Sequence, residues 1–134
     1  MRIVLDTNCL IQSIPPRSRY YGVWQSLVDG KNTLCVSNDI IMEYLEVLQR
    51  LTDHDTAESV IKTIINSPFV ELITPFYNFG LISQDPDDNK FVDCAIAANA
   101  RFIVTNDHHY DVLKNLDYHL VDVIKLEDFL SLLQ

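Results

Sequence analysis

Along the chain, short uninterrupted apolar runs alternate with stretches whose apolar residues recur every three to four positions. The runs are Ile3-Val4-Leu5, Thr33–Val36, Phe69–Ile73, Phe102-Ile103-Val104 and a segment near His119–Val123. Aliphatic runs of that length predict strands covered on both faces, as in a parallel sheet between helices. Helical spacing fills the intervals. Residues 20, 23, 24, 27 and 28 mark one helix, and Ile40, Ile41, Tyr44, Leu45, Val47 and Leu48 form the apolar face of a second, over about Asn38 to Leu51. Ser37 is a suitable N-cap for it. A third follows Thr52–Asp55, with Ala57, Val60, Ile61, Ile64 and Ile65 inward, and Asn66-Ser67-Pro68 closes it. Asp85-Pro86-Asp87-Asp88 opens a fourth that continues through Phe91–Ala100, with proline and acids suited to its first turn. Cys9-Leu10-Ile11 begins a short helix or turn ended by Pro15-Pro16, another short helix runs through Leu113, and a terminal helix starts at Glu127. The alternation predicts a three-layer α/β domain with a mainly parallel sheet.

The ends of the runs carry the chemistry. Ile3-Val4-Leu5 stops at Asp6, followed by Thr7 and Asn8; Phe102-Ile103-Val104 stops at Thr105-Asn106-Asp107. Ligands of open α/β sheets bind at the carboxyl ends of strands, so Asp6 and Asp107 converge if their strands are neighbours. Glu43 lies at the edge of its helix's apolar face, where a solvated acid would also be found. Asp88 shares a helical face with Val92, Ala95 and Asn99 and is expected to point inward, whereas Asp93 lies about 140° away on the wheel. His108-His109 suggests metal ligation only weakly, because adjacent helical residues face different ways.

Composition bounds these readings. The 134 residues, 48% hydrophobic, are expected to form a single domain (1–134) with a real core. No apolar stretch is long enough to cross a membrane. The N-terminus, with one Arg before a strand-like run, is not expected to be a signal peptide. Cys9, Cys35 and Cys94 lack metal-ligand spacing and read as reduced core thiols of a cytoplasmic protein. A net charge of −9 argues against a general nucleic-acid binder, but Asp85, Asp87, Asp88 and Asp93 crowd one segment, and clustered acids invite divalent cations that reverse the local charge.

In order along the chain, LDTNCLI (5–11), SNDIIMEYLEVLQR (37–50), DPDDNKFVDCAIAANARFIVTND (85–107) and IKLEDFL (124–130) resemble the PIN domain family, particularly the VapC-like toxins of toxin–antitoxin pairs. The resemblance implies a four- or five-stranded parallel sheet between helices, an acidic pocket for Mg²⁺ or Mn²⁺, and cleavage of single-stranded or loop RNA. Carried over position by position, it makes Asp6, Glu43, Asp88 and Asp107 the catalytic and metal-binding acids. Thr7, Asn8, Thr105 and Asn106 match positions that orient ligands or water, and Asp93 is retained as an outer member. It further implies an RNA substrate, a cognate antitoxin and a homodimer. Arg17, Arg19 and Lys90 are candidates for guiding the RNA backbone, each also readable as an ordinary surface charge.

Two other classes compete. A two-component receiver is also small, acidic, α/β and Mg²⁺-binding, but it calls for paired acids after the first strand and a Lys after a late one. This chain has one acid after its first strand and none directly after Thr33–Val36. The other is a catalytically silent binding module of the same fold, against which the filled acid set argues.

Overall fold

The computed structural model describes residues 1–116 and 119–134. Its centre is a five-stranded sheet in the order β3-β2-β1-β4-β5, with every pair parallel. The strands are β1 (Arg2–Leu5), β2 (Thr33–Val36), β3 (Val70–Leu72), β4 (Phe102–Val104) and β5 (Asp122–Ile124). Around them lie α1 (Thr7–Ser13), α2 (Tyr21–Val28), α3 (Asn38–Leu51), α4 (His54–Asn66), α5 (Asn89–Ala98) and α6 (Leu126–Leu133). The arrangement is the expected three-layer α/β fold, with a sheet that is wholly parallel.

Burial explains the strand sequences. Ile3, Val4, Leu5, Leu34, Cys35, Ile103 and Val104 are fully enclosed, as central parallel strands require. β3 is an edge strand and shorter than the expected Phe69–Ile73: Glu71 and Leu72 are exposed, and Ile73 only donates its amide to Val36. Phe69 instead lies over Gly30, where a Cβ would come within 2.7 Å of its ring and where φ is +83°, so this turn admits only glycine without strain. β5 also starts later than the expected His119–Val123, because its register is set by β4, Phe102 opposite Asp122 through Val104 opposite Ile124.

Caps set most helix boundaries. The Ser37 hydroxyl accepts the Ile40 amide and starts α3, and the Asp53 carboxylate accepts the Thr56 amide and starts α4. Ile65 departs from its expected inward place and is largely exposed, one step round from buried Ile61 and Ile64. The acidic opening at residues 85–88 is a 3₁₀ turn, Pro86–Asp88, before α5 proper. The expected short helix through Leu113 is likewise 3₁₀, His108–Asn115, and α6 begins at Leu126 rather than Glu127.

This topology places the acids. The strand order reverses between β1 and β4, and the crevice outside the carboxyl ends at such a switch point is where open α/β sheets bind ligands. Asp6 and Thr105 follow directly on the paired residues Leu5 and Val104. In a parallel sheet, a helix linking two strands starts at the carboxyl edge and returns the chain to the amino edge. α5 links β3 to β4 and packs on β1, β2 and β4, so Asp88 at its start stands at the same edge as Asp6 and Asp107.

At the other end of α5, Asn99 caps the helix in the left-handed region, with φ 52° and ψ 46°. A Cβ-bearing residue without Asn's local hydrogen bonding pays about 1–2 kcal/mol there, whereas glycine does not. In urea unfolding, Asn99→Val is expected to destabilise the chain by about that amount, and Asn99→Gly to change it by only about a few tenths of a kcal/mol.

Candidate active site

Asp6 is buried at the end of β1, and both its oxygens have partners. Oδ1 accepts the Thr7 amide at 2.8 Å, and Oδ2 accepts the Thr105 hydroxyl at 2.7 Å. The same Thr105 oxygen accepts the Asp107 amide at 3.0 Å. One hydroxyl thus ties the end of β1 to the turn after β4. The Tyr44 hydroxyl, fully buried on α3, donates to the Leu5 carbonyl and fixes the residue just before Asp6. Asp107 then caps the 3₁₀ helix, its Oδ1 accepting the His109 amide at 2.8 Å.

Asp85 and Asp88 come from the acidic turn. Asp85 caps it by accepting the Asp87 amide, and its carbonyl accepts the Asp88 amide. Asp88 is 9% exposed, and its Oδ2 lies 3.8 Å from His109 Nδ1, which is 3.3 Å from Asp107 Oδ1. Asp85, Asp88, Asp107 and His109 each offer a ligand atom, all within 4.8 Å of one another. Among the described residues, two buried side-chain polar atoms have no hydrogen-bond partner: Asp88 Oδ2 and His109 Nδ1. Buried polar atoms are normally satisfied, so two orphans facing each other in a ring of acids fit a divalent cation.

Electrostatics point the same way. Burial pushes the Asp88 carboxyl up to about 7, helped by the negative charges of Asp85, Asp6 and Asp107 and opposed by His109. Burial also raises Asp6, but the Thr105 and Thr7 hydrogen bonds hold it back, while Glu43 and Asp107 add to the rise. The like charges raise one another, and among the described residues no group hydrogen-bonds Asp88 Oδ2.

Asp6 lies outside the set of four formed by Asp85, Asp88, Asp107 and His109, and so does Glu43. Its Oε1 pairs with Lys90 Nζ at 2.8 Å, and its Oε2 accepts the Thr7 hydroxyl. Lys90, a candidate RNA guide from the sequence, is therefore engaged with an acid of the site, and Arg19 pairs with Glu127. Arg17 is exposed. Thr7 and Thr105 contact the acids directly. Asn106 turns away: its side-chain oxygen accepts the Leu126 amide at the start of α6. Asn8 is exposed, and Asp93, buried on α5, accepts the Phe79 amide. Sequence reasoning left His109 and Asp85 off the site. Asp85 was visible as part of the acidic run; the phase of His109 depends on a 3₁₀ turn capped by Asp107.

The sequence model of the PIN domain matches residues 2–109. Comparison with curated protein sequences gave no match. Among solved structures, the chain is similar to VapBC2 from Rickettsia felis bound to a DNA fragment from its promoter, at 19% identity and a TM-score of 0.62, covering 92% of this chain and 98% of that one. It is also similar to VapBC-1 from nontypeable Haemophilus influenzae, at 14% identity and 0.63, covering 95% and 99%. FitAcB from Neisseria gonorrhoeae follows at 15% and 0.58, covering 93% and 98%. The PIN domain endonuclease Utp24 resembles it at 13% and 0.56, covering 92% and 84%. At these identities the structures speak for the fold, and with the family match over most of the sequence they lead to one conclusion: the chain belongs to the PIN domain family.

Proposed function

We propose that this chain is a divalent-cation-dependent endoribonuclease, a single-domain toxin with a cognate antitoxin partner and a homodimeric state. The observation that carries the reading is the buried, unpartnered Asp88 Oδ2 in an acidic crevice at the sheet's switch point. The likeness in fold to Utp24, named an endonuclease, and to the VapBC assemblies supports it. No described helix is long and apolar enough to cross a membrane. The buried free thiols Cys9, Cys35 and Cys94 suit a reducing compartment, and the proposed place is the cytoplasm.

In this reading Asp6, Asp88 and Asp107 present carboxylate oxygens to Mg²⁺ or Mn²⁺, and Glu43 completes the set. When bound, such an ion lowers the pKa of a water and neutralises charge on the scissile phosphate. Cleavage is hydrolysis. A water oxygen bonds to phosphorus, the bond from phosphorus to the 3′ oxygen breaks, and that oxygen takes up a proton. The products are a 5′-phosphate and a 3′-hydroxyl. Glu43, held between Lys90 and the Thr7 hydroxyl, is fixed to orient the attacking water. Thr105 keeps Asp6 and Asp107 at a constant separation, so the ligands need little rearrangement on binding. Asn106 and Asp93 are engaged elsewhere, with the Leu126 and Phe79 amides, so of the outer residues Thr7 and Thr105 carry the support.

The direct test is cleavage of a mixed pool of structured and single-stranded RNAs with Mg²⁺, Mn²⁺ or EDTA. Cutting by the wild-type chain is expected with either ion and none in EDTA. Asp6→Asn and Asp107→Asn should each lower it by at least about 100-fold, since even groups behind metal ligands are worth about 10–100-fold. Metal-bound protein that leaves every RNA intact would favour the silent binding module.

A second prediction follows from the raised acids. Burial raises Asp88 to about 7 and Asp6 above its ordinary value, so these two carboxyls hold more protons in the cation-free folded chain than in the unfolded one between about pH 4 and about pH 7. Stability falls with rising pH wherever the folded state holds the extra protons. In EDTA, the urea midpoint of Asp88→Asn should exceed that of the wild type at pH 7.5, and the gap should close towards pH 5. Saturating Mn²⁺ should raise the wild-type midpoint and leave the variant nearly unmoved.

A further inference from the structure

We infer that His109 Nδ1 is a direct ligand of the cation, and that this nitrogen makes the site prefer a first-row transition ion to Mg²⁺. The inference rests on the reading of the acidic crevice as a divalent-cation site and adds to it a nitrogen donor.

The geometry separates a ligand from an ion-pair partner. Were the imidazole there to neutralise the acids, Nδ1–H would donate to one of them. Asp107 Oδ1 is 3.3 Å away and Asp88 Oδ2 3.8 Å, yet neither forms a hydrogen bond with it, and Nδ1 remains buried without a partner. Atoms bound about 2.1 Å from one ion stand roughly 3–4.2 Å from one another, depending on whether they are adjacent or opposite. The spacings around Nδ1 fall inside that interval. Asp88 is nine-tenths buried, and its free oxygen faces the same point. His109 is also fixed there: its own amide donates to Asp107 Oδ1, so one residue joins the cluster through backbone and ring together. Its neighbour His108 packs a tilted ring against it at 5.0 Å between centroids and contributes no atom to the cluster.

The chemistry of the donor set then bears on the ion. Mg²⁺ takes oxygen ligands in a strict octahedron and sheds water reluctantly, whereas imidazole suits the later first-row ions. Three carboxylates alone would accept Mg²⁺. Exchanging one water for a neutral nitrogen gains little with Mg²⁺ and more with Mn²⁺ and the ions after it in the Irving–Williams order.

Metal-free wild-type chain titrated with Mn²⁺ and with Mg²⁺ by calorimetry tests this, together with pulsed electron paramagnetic resonance of the Mn²⁺-loaded protein. The wild type is expected to bind Mn²⁺ at least about tenfold more tightly than Mg²⁺ and to show coupling to a directly bound ¹⁴N. His109→Gln should lose the coupling and most of the preference, with a smaller change for Mg²⁺. His109→Asn, which can place a side-chain oxygen near the position of Nδ1, should keep cation binding but shift it towards Mg²⁺. The wild-type spectrum decides the matter even if a variant does not fold. Mn²⁺ bound without nitrogen coupling overturns the role of His109 and leaves the cation site standing. No binding of either ion overturns both.

Discussion

The Thr105 hydroxyl is the joint on which the acidic edge depends. It donates to Asp6 and accepts from the Asp107 amide, so a single oxygen sets the separation between the ends of two neighbouring strands. Neither acid could hold its place by mutual contact, because like charges at that range repel. What holds them is the sheet, through the pairing of Leu5 with Val104, and this hydroxyl one residue further on. Serine could make the same two hydrogen bonds, but threonine's β-branch suits an extended residue at a strand end and restricts its χ1.

The edge distributes its hydrogen bonds unevenly. Asp6 has a donor on each oxygen, Glu43 has Lys90 and Thr7, and Asp107 has the His109 amide. Asp88 Oδ2 has none. A buried polar group left without a partner costs about 1–3 kcal/mol, against a total stability of about 5–15 kcal/mol for a domain. Such a cost survives where something else uses the group, which is why strain and unsatisfied atoms gather at functional sites. The raised titration of Asp88 is the same fact in another form: the fold supplies the other acids with donors and leaves this one open.

Much of this was legible in the sequence, and the exceptions share a cause. Asp6 and Asp107 could be read because an aliphatic run that stops at a carboxylate puts that carboxylate at a strand end wherever the strand lies. Asp88 could be read because the turn Pro86–Asp88 passes into α5 without changing which face is inward. Ser37 and the bounds of α3 followed from a strong cap and an unbroken apolar face. The sequence could not show which side of the domain α5 starts on, since that follows from all strands being parallel, a property of the assembled sheet. Nor could it place His109, because a wheel drawn for an α-helix gives the wrong phase for a 3₁₀ turn, whose repeat is about three residues. Asn106 matched by resemblance a position that orients ligands or water, and it accepts the first amide of α6 instead, a contact twenty residues away that no local pattern announces.

The strongly negative charge of the chain becomes intelligible on the proposed reading. Arg2 pairs with Glu71, Arg101 with Asp122, Arg19 with Glu127 and Lys90 with Glu43, so much of the positive charge is already answered within the fold. An RNA phosphate approaching the switch-point crevice would meet acids, and at close range that repulsion outweighs what distant surface cations offer through a Debye length of about 8–10 Å. Attraction has to come from whatever the acids hold. On the proposed reading, a divalent ion held at Asp88 and Asp107 would offset the charge of the acids that hold it and leave the surface negative elsewhere. On the same reading, a polyanion would be repelled along most of its length and held only where a single phosphate reaches the ion. This is the physical case for the proposed loop or unpaired-strand substrate, which can present one phosphate, against a rigid duplex that must bring its neighbours along.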